Sequence, residues 1–319
     1  MSGRGSMIAA RQHNHYGGTL SPRNVNRSLL AYVMHGHTRH GVLDYIEFFT
    51  MLNALPLNTR RVQRQDQVTA IASLEKTDRG SLVLRIVTGA QGSAPVLFDI
   101  ETGKERVGPL NKTEIVAAST IVAVNPRTRA VVVERRRPGV PISSIERLLS
   151  HVGREFGYEQ LTIALTPLAG ESFLSELTEF ERIRRAEVLL TRPNFDWTTN
   201  ARALVGDLGA ASDADVIEVA ASASRGQSLR KEEGIVQDIK NFMARPINGL
   251  KNVKILGRKS GGASETTLSL ERHQLRQEVS IPQSLDEGAR EEMIVNRALN
   301  FVESIELSSE STTDDEAAK

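Results

Sequence analysis

The stretch QVTAIASLEKTDRGSLVLRIV, residues 67–87, sets the expectation for the fold of this chain. Small or apolar residues recur there at every second position, at Val68, Ala70, Ala72 and Leu74, and again at Leu82, Leu84 and Ile86. A period of two is typical of a β-strand. Thr77 to Gly80, between the two runs, has the composition of a tight turn. We therefore predict an antiparallel hairpin.

Further runs extend this pattern along the chain. Val96–Phe98 continues the meander, and residues 120–124 and 130–133 flank the turn Asn125–Thr128 as a second hairpin. Beyond Pro141, amphipathic helices alternate with strands, and Ser143 with Glu146 and Ser284 with Glu287 form capping boxes that predict helix starts. The pattern predicts an α+β fold: an antiparallel β meander with helices, followed by a second mixed α/β subdomain and a C-terminal helix.

Composition divides the chain into four expected parts. Residues 1–24 are rich in glycine without an apolar period, so we expect a flexible arm. Residues 25–157 form the predicted N-terminal antiparallel α+β domain, and residues 158–305 a second α+β domain that ends in the C-terminal helix. Residues 306–319 carry a net charge of −4 and predict a disordered acidic tail.

Composition also excludes several classes of function. The chain has no cysteine, which removes disulfides, thiolate catalysis and cysteine-based metal sites. It has no run of about 18 apolar residues, the length that a membrane span needs, and no apolar leader, so we expect a cytoplasmic protein. The phosphate-binding motif Gly-x4-Gly-Lys-Ser/Thr is absent. We expect a protein that is not an enzyme and holds neither a cofactor nor a metal.

Positive charge is gathered in three segments, although the formal net charge is only +1. The 40 basic residues include 31 arginines, whose planar guanidinium groups suit phosphate. The candidate DNA-binding residues are Arg60, Arg61 and Arg64 in the first segment, Arg127, Arg129, Arg135, Arg136 and Arg137 around one hairpin, and Lys251, Lys254, Arg258 and Lys259 in the third. The alternative interpretation is a solvated arginine-rich surface.

Two further groups of residues raise enzymatic or metal-binding hypotheses. Asp99, Glu101 and Lys104 resemble the two carboxylates and lysine of metal-dependent nucleases, although an ordinary turn has the same composition. His35, His37 and His40 are spaced closely enough for a metal site, but further ligands are scarce. A metal-dependent nuclease is therefore one alternative function, and an adaptor whose arginines bind acidic protein partners is another.

The order of elements, with some of their residues, resembles the RexA-like phage exclusion proteins. Several segments carry the resemblance: residues 124–130 (VNPRTRA), 141–149 (PISSIERLL), 192–195 (RPNF), 204–210 (LVGDLGA) and 214–219 (ADVIEV). The resemblance covers residues 40 to 300 as scattered apolar and glycine positions and contains no catalytic motif. The chain departs from the family in its longer, histidine-bearing N-terminal arm and in its acidic tail, so the resemblance implies no function for these two ends.

The resemblance implies a homodimeric protein that binds double-stranded DNA without sequence preference. It also implies a role in abortive infection and superinfection immunity encoded by a prophage, in which infecting-phage nucleoprotein complexes are sensed. The signal would pass to a polytopic membrane partner protein of the RexB-like kind. The fold it implies is related to that of the recombination-associated protein RdgC. The activating trigger, the dimer interface and the DNA groove do not follow from the sequence.

Overall fold

The structure is a computed structural model that describes residues 24–92, 94–101, 103–111, 114–191 and 216–307. These described residues form fifteen strands and five α-helices, which confirms the α+β class. The strands are β1 (Asn24–Thr38), β2 (Gly41–Val42), β3 (Arg61–Arg64), β4 (Gln67–Lys76), β5 (Leu82–Ala90), β6 (Val96–Phe98), β7 (Glu105–Val107), β8 (Ala118–Asn125), β9 (Ala130–Arg135), β10 (Thr162–Pro167), β11 (Phe180–Thr191), β12 (Val216–Ser222), β13 (Leu250–Lys259), β14 (Glu265–Ser269) and β15 (Arg276–Pro282). The helices are α1 (Tyr45–Ala54), α2 (Ile142–Glu155), α3 (Glu171–Thr178), α4 (Gly234–Ala244) and α5 (Glu287–Ser304), and a short 3-10 helix covers Leu57–Thr59.

A nine-stranded antiparallel sheet contains most strands of the first half of the chain, but Val96–Phe98 does not continue this meander, because β6 and β7 form a separate two-stranded sheet. Its main order is β10-β1-β9-β8-β5-β4-β3, and β2 and β15 also pair with β1. β1 pairs with β9 on one side and with β15 and then β10, end to end, on the other. Residues 31–36 of β1 are all buried. The sequence pattern does not predict this strand, because a strand buried on both faces shows no alternation of polar residues.

Both faces of this large sheet carry an apolar core. On one face, α1 and α2 pack through Phe48, Phe49 and Leu148, among other residues, against apolar side chains of the strands. On the other face, α5 packs through Ala298 and Val302. The large sheet is therefore the middle layer of three, and functional side chains project from its ends and edges.

A second, four-stranded antiparallel sheet has the order β12-β11-β13-β14. One face packs with α3 and α4 around Phe173, Phe180 and Phe242. The opposite face alternates charges: Arg185 lies 2.6 Å from Glu187 and 3.7 Å from Glu218. Such a face is a solvated ion-pair network whose charges cancel.

Sheet membership does not follow the expected division of the chain at residues 157 and 158. β10, β15 and α5 belong to the large sheet and its core, although they lie beyond that division. The second sheet lies between them in the sequence, at residues 180–269. The arm and the acidic tail fall outside the described residues, except for Asn24 at the start of β1 and residues 306 and 307. The division into domains stays a prediction.

Three local predictions are wrong in detail. A bulge between Ile71 and Ser73 shifts the register of β4, so that Ile71, not Ala72, is buried. α2 begins after Pro141 without a side-chain cap, and the N-cap of α5 is Asp286, whose carboxylate accepts from Ala289 N.

Within the described ranges, no helix is long and apolar enough to cross a membrane.

Candidate nucleic-acid interface

Arg60 is wrongly assigned to a DNA-binding surface, because it is a buried structural residue. Only 6% of it is exposed. Its Nε donates to Leu55 O at 2.8 Å, and its Nη2 donates to Asn53 O at 2.9 Å and also to Leu55 O. These carbonyls lie at the end of α1, where helical hydrogen-bond partners run out. Arg60 therefore caps α1, and its guanidinium is unable to reach a phosphate.

The predicted basic hairpin is divided between the two ends of the large sheet. Arg127 and Arg129 lie in the turn before β9, where Asn125 Oδ1 accepts from Arg127 N at 3.1 Å. Arg135 to Arg137 lie at the other end of the same strand. At about 3.4 Å per residue, the six residues of β9 separate the two groups by roughly 17 Å. The structure does not bring these five arginines together.

The side chains of Arg135, Arg136 and Arg137 have different environments. Arg135 and Arg137 are exposed and have no ion-pair partner among the described residues. Arg136 is half-buried, and its Nη1 donates to Ser119 Oγ at 3.3 Å. Arg135 and Arg137 are therefore available to a ligand, whereas Arg136 is partly committed to the protein.

A buried carboxylate, Glu134, lies beside Arg136 at this end of β9. Its Oε2 accepts from Ile121 N at 3.3 Å, and its Oε1 lies 3.4 Å from Arg27 Nε. Burial raises the pKa of Glu134, and the hydrogen bond from Ile121 and the charges of Arg136 and Arg27 lower it in part. Glu134 thus pairs with Arg27, and Ser119 holds Arg136, which leaves Arg135 and Arg137 as the outward charges.

Arg61 and Arg64 lie on β3, an edge strand of the same sheet. Both are exposed and have no ion-pair partner among the described residues, and Asp66 is the one carboxylate within the paired residues 61–70. Val62 packs on the α1 and α2 face, so Arg64, two residues on, shares that face, whereas Arg61, one residue before Val62, lies on the opposite face. Val131 and Val133 of β9 also pack on the α1 and α2 face, so Arg135, two residues after Val133, lies on that face too. Four strand spacings, about 19 Å across the sheet, separate β3 from β9.

Helix α2 adds an arginine that the sequence analysis missed. α2 starts five residues after Arg137 and contacts β3. Its buried face contains Ile145, Leu148 and Leu149, and Arg147 is exposed on the opposite side without an ion-pair partner in the described chain. Helical periodicity alone indicates this exposure. We call Arg64, Arg135, Arg137 and Arg147 the arginine surface; Arg61 lies on the opposite face of β3 and does not belong to it.

The third predicted segment differs, because each of its cations is paired with a carboxylate. Lys251 contacts Glu146, Lys254 lies 3.9 Å from Glu187, and Arg258 lies 3.6 Å from Glu181. Lys259 lies 2.9 Å from both Glu176 and Glu179. The hydrogen bond from Lys259 lowers the pKa of Glu176, and the same pairing raises the pKa of Lys259. These four cations are locally neutralised and give little net field to attract phosphate.

The nuclease residues occupy an exposed turn. Asp99, Glu101 and Lys104 lie in the turn between β6 and β7, where Asp99 N donates to Lys104 O at 2.9 Å. Asp99 Oδ1 accepts from Glu101 N at 2.9 Å, as in an ordinary Asx turn. Across the described ranges, no group of three or more His, Asp or Glu residues could hold a metal ion. The geometry supports a turn and gives no observation in favour of catalysis.

The histidine segment forms part of the large sheet. His35 and His37 lie on β1, and His35 is only 6% exposed. Burial, with smaller contributions from the charges of Arg129, His37 and Lys251, lowers the pKa of His35 to about 3. His35 is therefore a neutral core histidine, whereas His40, beyond the end of β1, is exposed.

Comparison with protein families places part of this architecture in a known group. The family described as "Domain of unknown function (DUF4747)" matches residues 128–296, just over half of the chain. The match runs from the turn before β9 into α5, and it includes Arg135, Arg137 and Arg147 but neither β3 nor the β6–β7 hairpin. A search of curated proteins gives no match. The chain belongs to the DUF4747 family.

Proposed function

We propose that this chain binds double-stranded DNA through its phosphate backbone, without sequence preference, by means of the arginine surface. The observation that supports this most directly is the contrast between paired and unpaired cations. The cations of β13 all have carboxylate partners, whereas those of the arginine surface are exposed and have none among the described residues. Unpaired guanidinium groups at one end of a rigid sheet form a local positive field that attracts phosphate.

The dimensions of the arginine surface suit a duplex. β3 and β9 are about 19 Å apart, and a duplex carries one phosphate charge per roughly 1.7 Å of axis, which gives about 11 charges over that length. The surface is defined by arginines, and guanidinium contacts to phosphate carry no sequence information. Binding should therefore depend strongly on salt and little on sequence.

The biological role that we propose follows from the resemblance to RexA-like proteins. The chain would be a cytoplasmic homodimer of a phage exclusion system that senses infecting-phage nucleoprotein complexes and signals to a polytopic membrane partner. We propose that it acts by binding and not by catalysis; Asp99 and Glu101, the carboxylates of the nuclease alternative, form an Asx turn in the β6–β7 hairpin. A gene for a small membrane protein beside this one would support this role.

The test of DNA binding is a titration of the full chain against unrelated duplexes of equal length at several salt concentrations. We expect similar affinities for all sequences and a linear fall of log K with log salt. Incubation with supercoiled plasmid and Mg²⁺ should leave the plasmid intact. Absence of duplex binding at 50 mM salt would overturn the proposal and favour an adaptor for acidic proteins, and nicking of the plasmid would favour a nuclease.

A further inference from the structure

The β6–β7 hairpin is an arm with an unusually apolar exposed surface. Val96 and Val107 face each other across the two strands and are 64% and 67% exposed. Ile100, in the connecting turn, is 88% exposed. Three carboxylates, Asp99, Glu101 and Glu105, and Lys104 lie around it, so residues 99–105 have a net charge of −2. An apolar tip within an acidic turn is typical of a contact surface.

A pocket at the other end of the large sheet has complementary properties. Its volume is about 170 Å³, and it lies between α1 and the β4–β5 and β8–β9 turns. Phe49, Leu82 and Pro126 give it an apolar lining, and Lys76 and Arg127 add two cations. Neither cation has an ion-pair partner among the described residues, and exposed Asp78 of the nearby turn pairs with neither.

The arm is unable to reach the pocket of its own chain. β5 runs from Leu82, which lines the pocket, to Ala90, from which the chain continues into the arm. Nine residues of strand hold the two ends about 27 Å apart. The bridge between Gln91 and Ile115 continues the pairing beyond β5, which places the arm further away still. Every chain therefore has an arm whose tip matches the pocket, but this arm can reach only the pocket of another copy.

We propose that the arm of each protomer inserts Ile100 into the α1 pocket of a second copy, and that Glu101 and Glu105 face its Lys76 and Arg127. Because arm and pocket lie at opposite ends of one sheet, two antiparallel copies can exchange arms reciprocally. Such an exchange gives a closed dimer with a twofold axis and two identical contacts. The charge pairs fix the orientation of the arm, and burial of Ile100 contributes the apolar part of the affinity. This inference rests on the homodimer of the proposed function and names its interface.

The absence of cysteine makes disulfide trapping a specific test. Glu101→Cys on the arm is combined with Thr50→Cys, a pocket residue that leaves both cations in place. Mild oxidation with diamide should give a covalent dimer, and mass spectrometry should identify the 50–101 linkage. The control pairs Glu101→Cys with Arg230→Cys, an exposed position near the second sheet, and should give at most a small fraction of that product.

Light scattering across a concentration series provides the second readout. Ile100→Asp should raise the dimer dissociation constant at least tenfold, whereas Leu57→Asp, also exposed but outside arm and pocket, should leave it unchanged. Both substitutions replace exposed side chains, and circular dichroism verifies the fold. A dimer without the 50–101 linkage would overturn this inference while leaving the homodimer intact. A monomeric wild-type protein would overturn both, and duplex affinity measured alongside would judge DNA binding separately.

Discussion

Adjacent residues Arg60 and Arg61 allow a sharp test of which arginines hold the fold together. Arg60 makes three hydrogen bonds to the carbonyls of Asn53 and Leu55, and Arg61 makes no ion pair within the described chain. Arg60→Ala leaves two carbonyls at the end of α1 without their donors. A buried polar group without a partner costs about 1–3 kcal/mol, so we expect a loss of about 2–4 kcal/mol in the free energy of unfolding. Arg61→Ala should change it by about 0.5 kcal/mol or less.

Urea denaturation followed by circular dichroism measures both variants. The midpoint should fall clearly for Arg60→Ala and hardly at all for Arg61→Ala. Duplex binding at a temperature where both variants are folded should change little for either, since neither arginine belongs to the arginine surface. Equal midpoints for the two variants would refute the assignment of Arg60 as a helix cap.

The remaining predictions concern pH and the acidic tail. The pKa of His35 is lowered from 6.5 to about 3, so protonation of its ring favours the unfolded state. Acidification from pH 7 to pH 5 should therefore lower the free energy of unfolding by about 2 kcal/mol. His35→Gln should remove this pH dependence in urea titrations. Burial raises the pKa of Glu134 above 4.5 in the folded state. The contribution of Glu134 to stability is therefore lost as the pH rises from 4.5 through the folded pKa. The stability of Glu134→Gln relative to the wild type should improve from pH 4 to pH 7. Removal of residues 306–319, with their net charge of −4, should tighten duplex binding at low salt, and unchanged affinity would exclude autoinhibition by the tail.

The sequence predicts strands well where one face is polar. Residues 67–87 form β4 and β5 as expected, and Leu82, Leu84 and Ile86 are buried. β1 escaped prediction because its central residues are apolar throughout. Its pairing with β15 also joins residues about 250 positions apart, as in the contact between Asn24 and Pro282. No local pattern can indicate such a pairing.

Local rules failed where a tertiary contact used the same atoms. Glu146 was expected to cap its own helix with Ser143. Its Oε1 instead accepts from Leu165 N on β10 and contacts Lys251 of β13. A carboxylate that bonds to two groups from other elements stabilises the fold more than the same carboxylate at an exposed helix end.

The candidate site also depends on tertiary contacts that no local sequence pattern indicates. Sequence locates every positive charge but does not say which charges are cancelled. The carboxylate partners of residues 251–259 lie 67 to 105 positions earlier in the chain, as with Lys254 and Glu187 or Lys251 and Glu146. Arg60 and Arg61 are indistinguishable by type and spacing, yet one is buried and the other exposed.

The most direct test of the central claim compares two triple variants of equal charge change. Arg64→Ala, Arg135→Ala and Arg137→Ala together remove unpaired cations of the arginine surface, and Lys254→Ala, Arg258→Ala and Lys259→Ala remove paired cations of β13. Each lost phosphate contact flattens the log–log salt dependence of duplex binding by about 0.9, so we expect the first variant to reduce the slope by up to about 2.7 per protomer and the second to leave it nearly unchanged. An unchanged slope in the first variant, or equal reductions in both, would contradict the account.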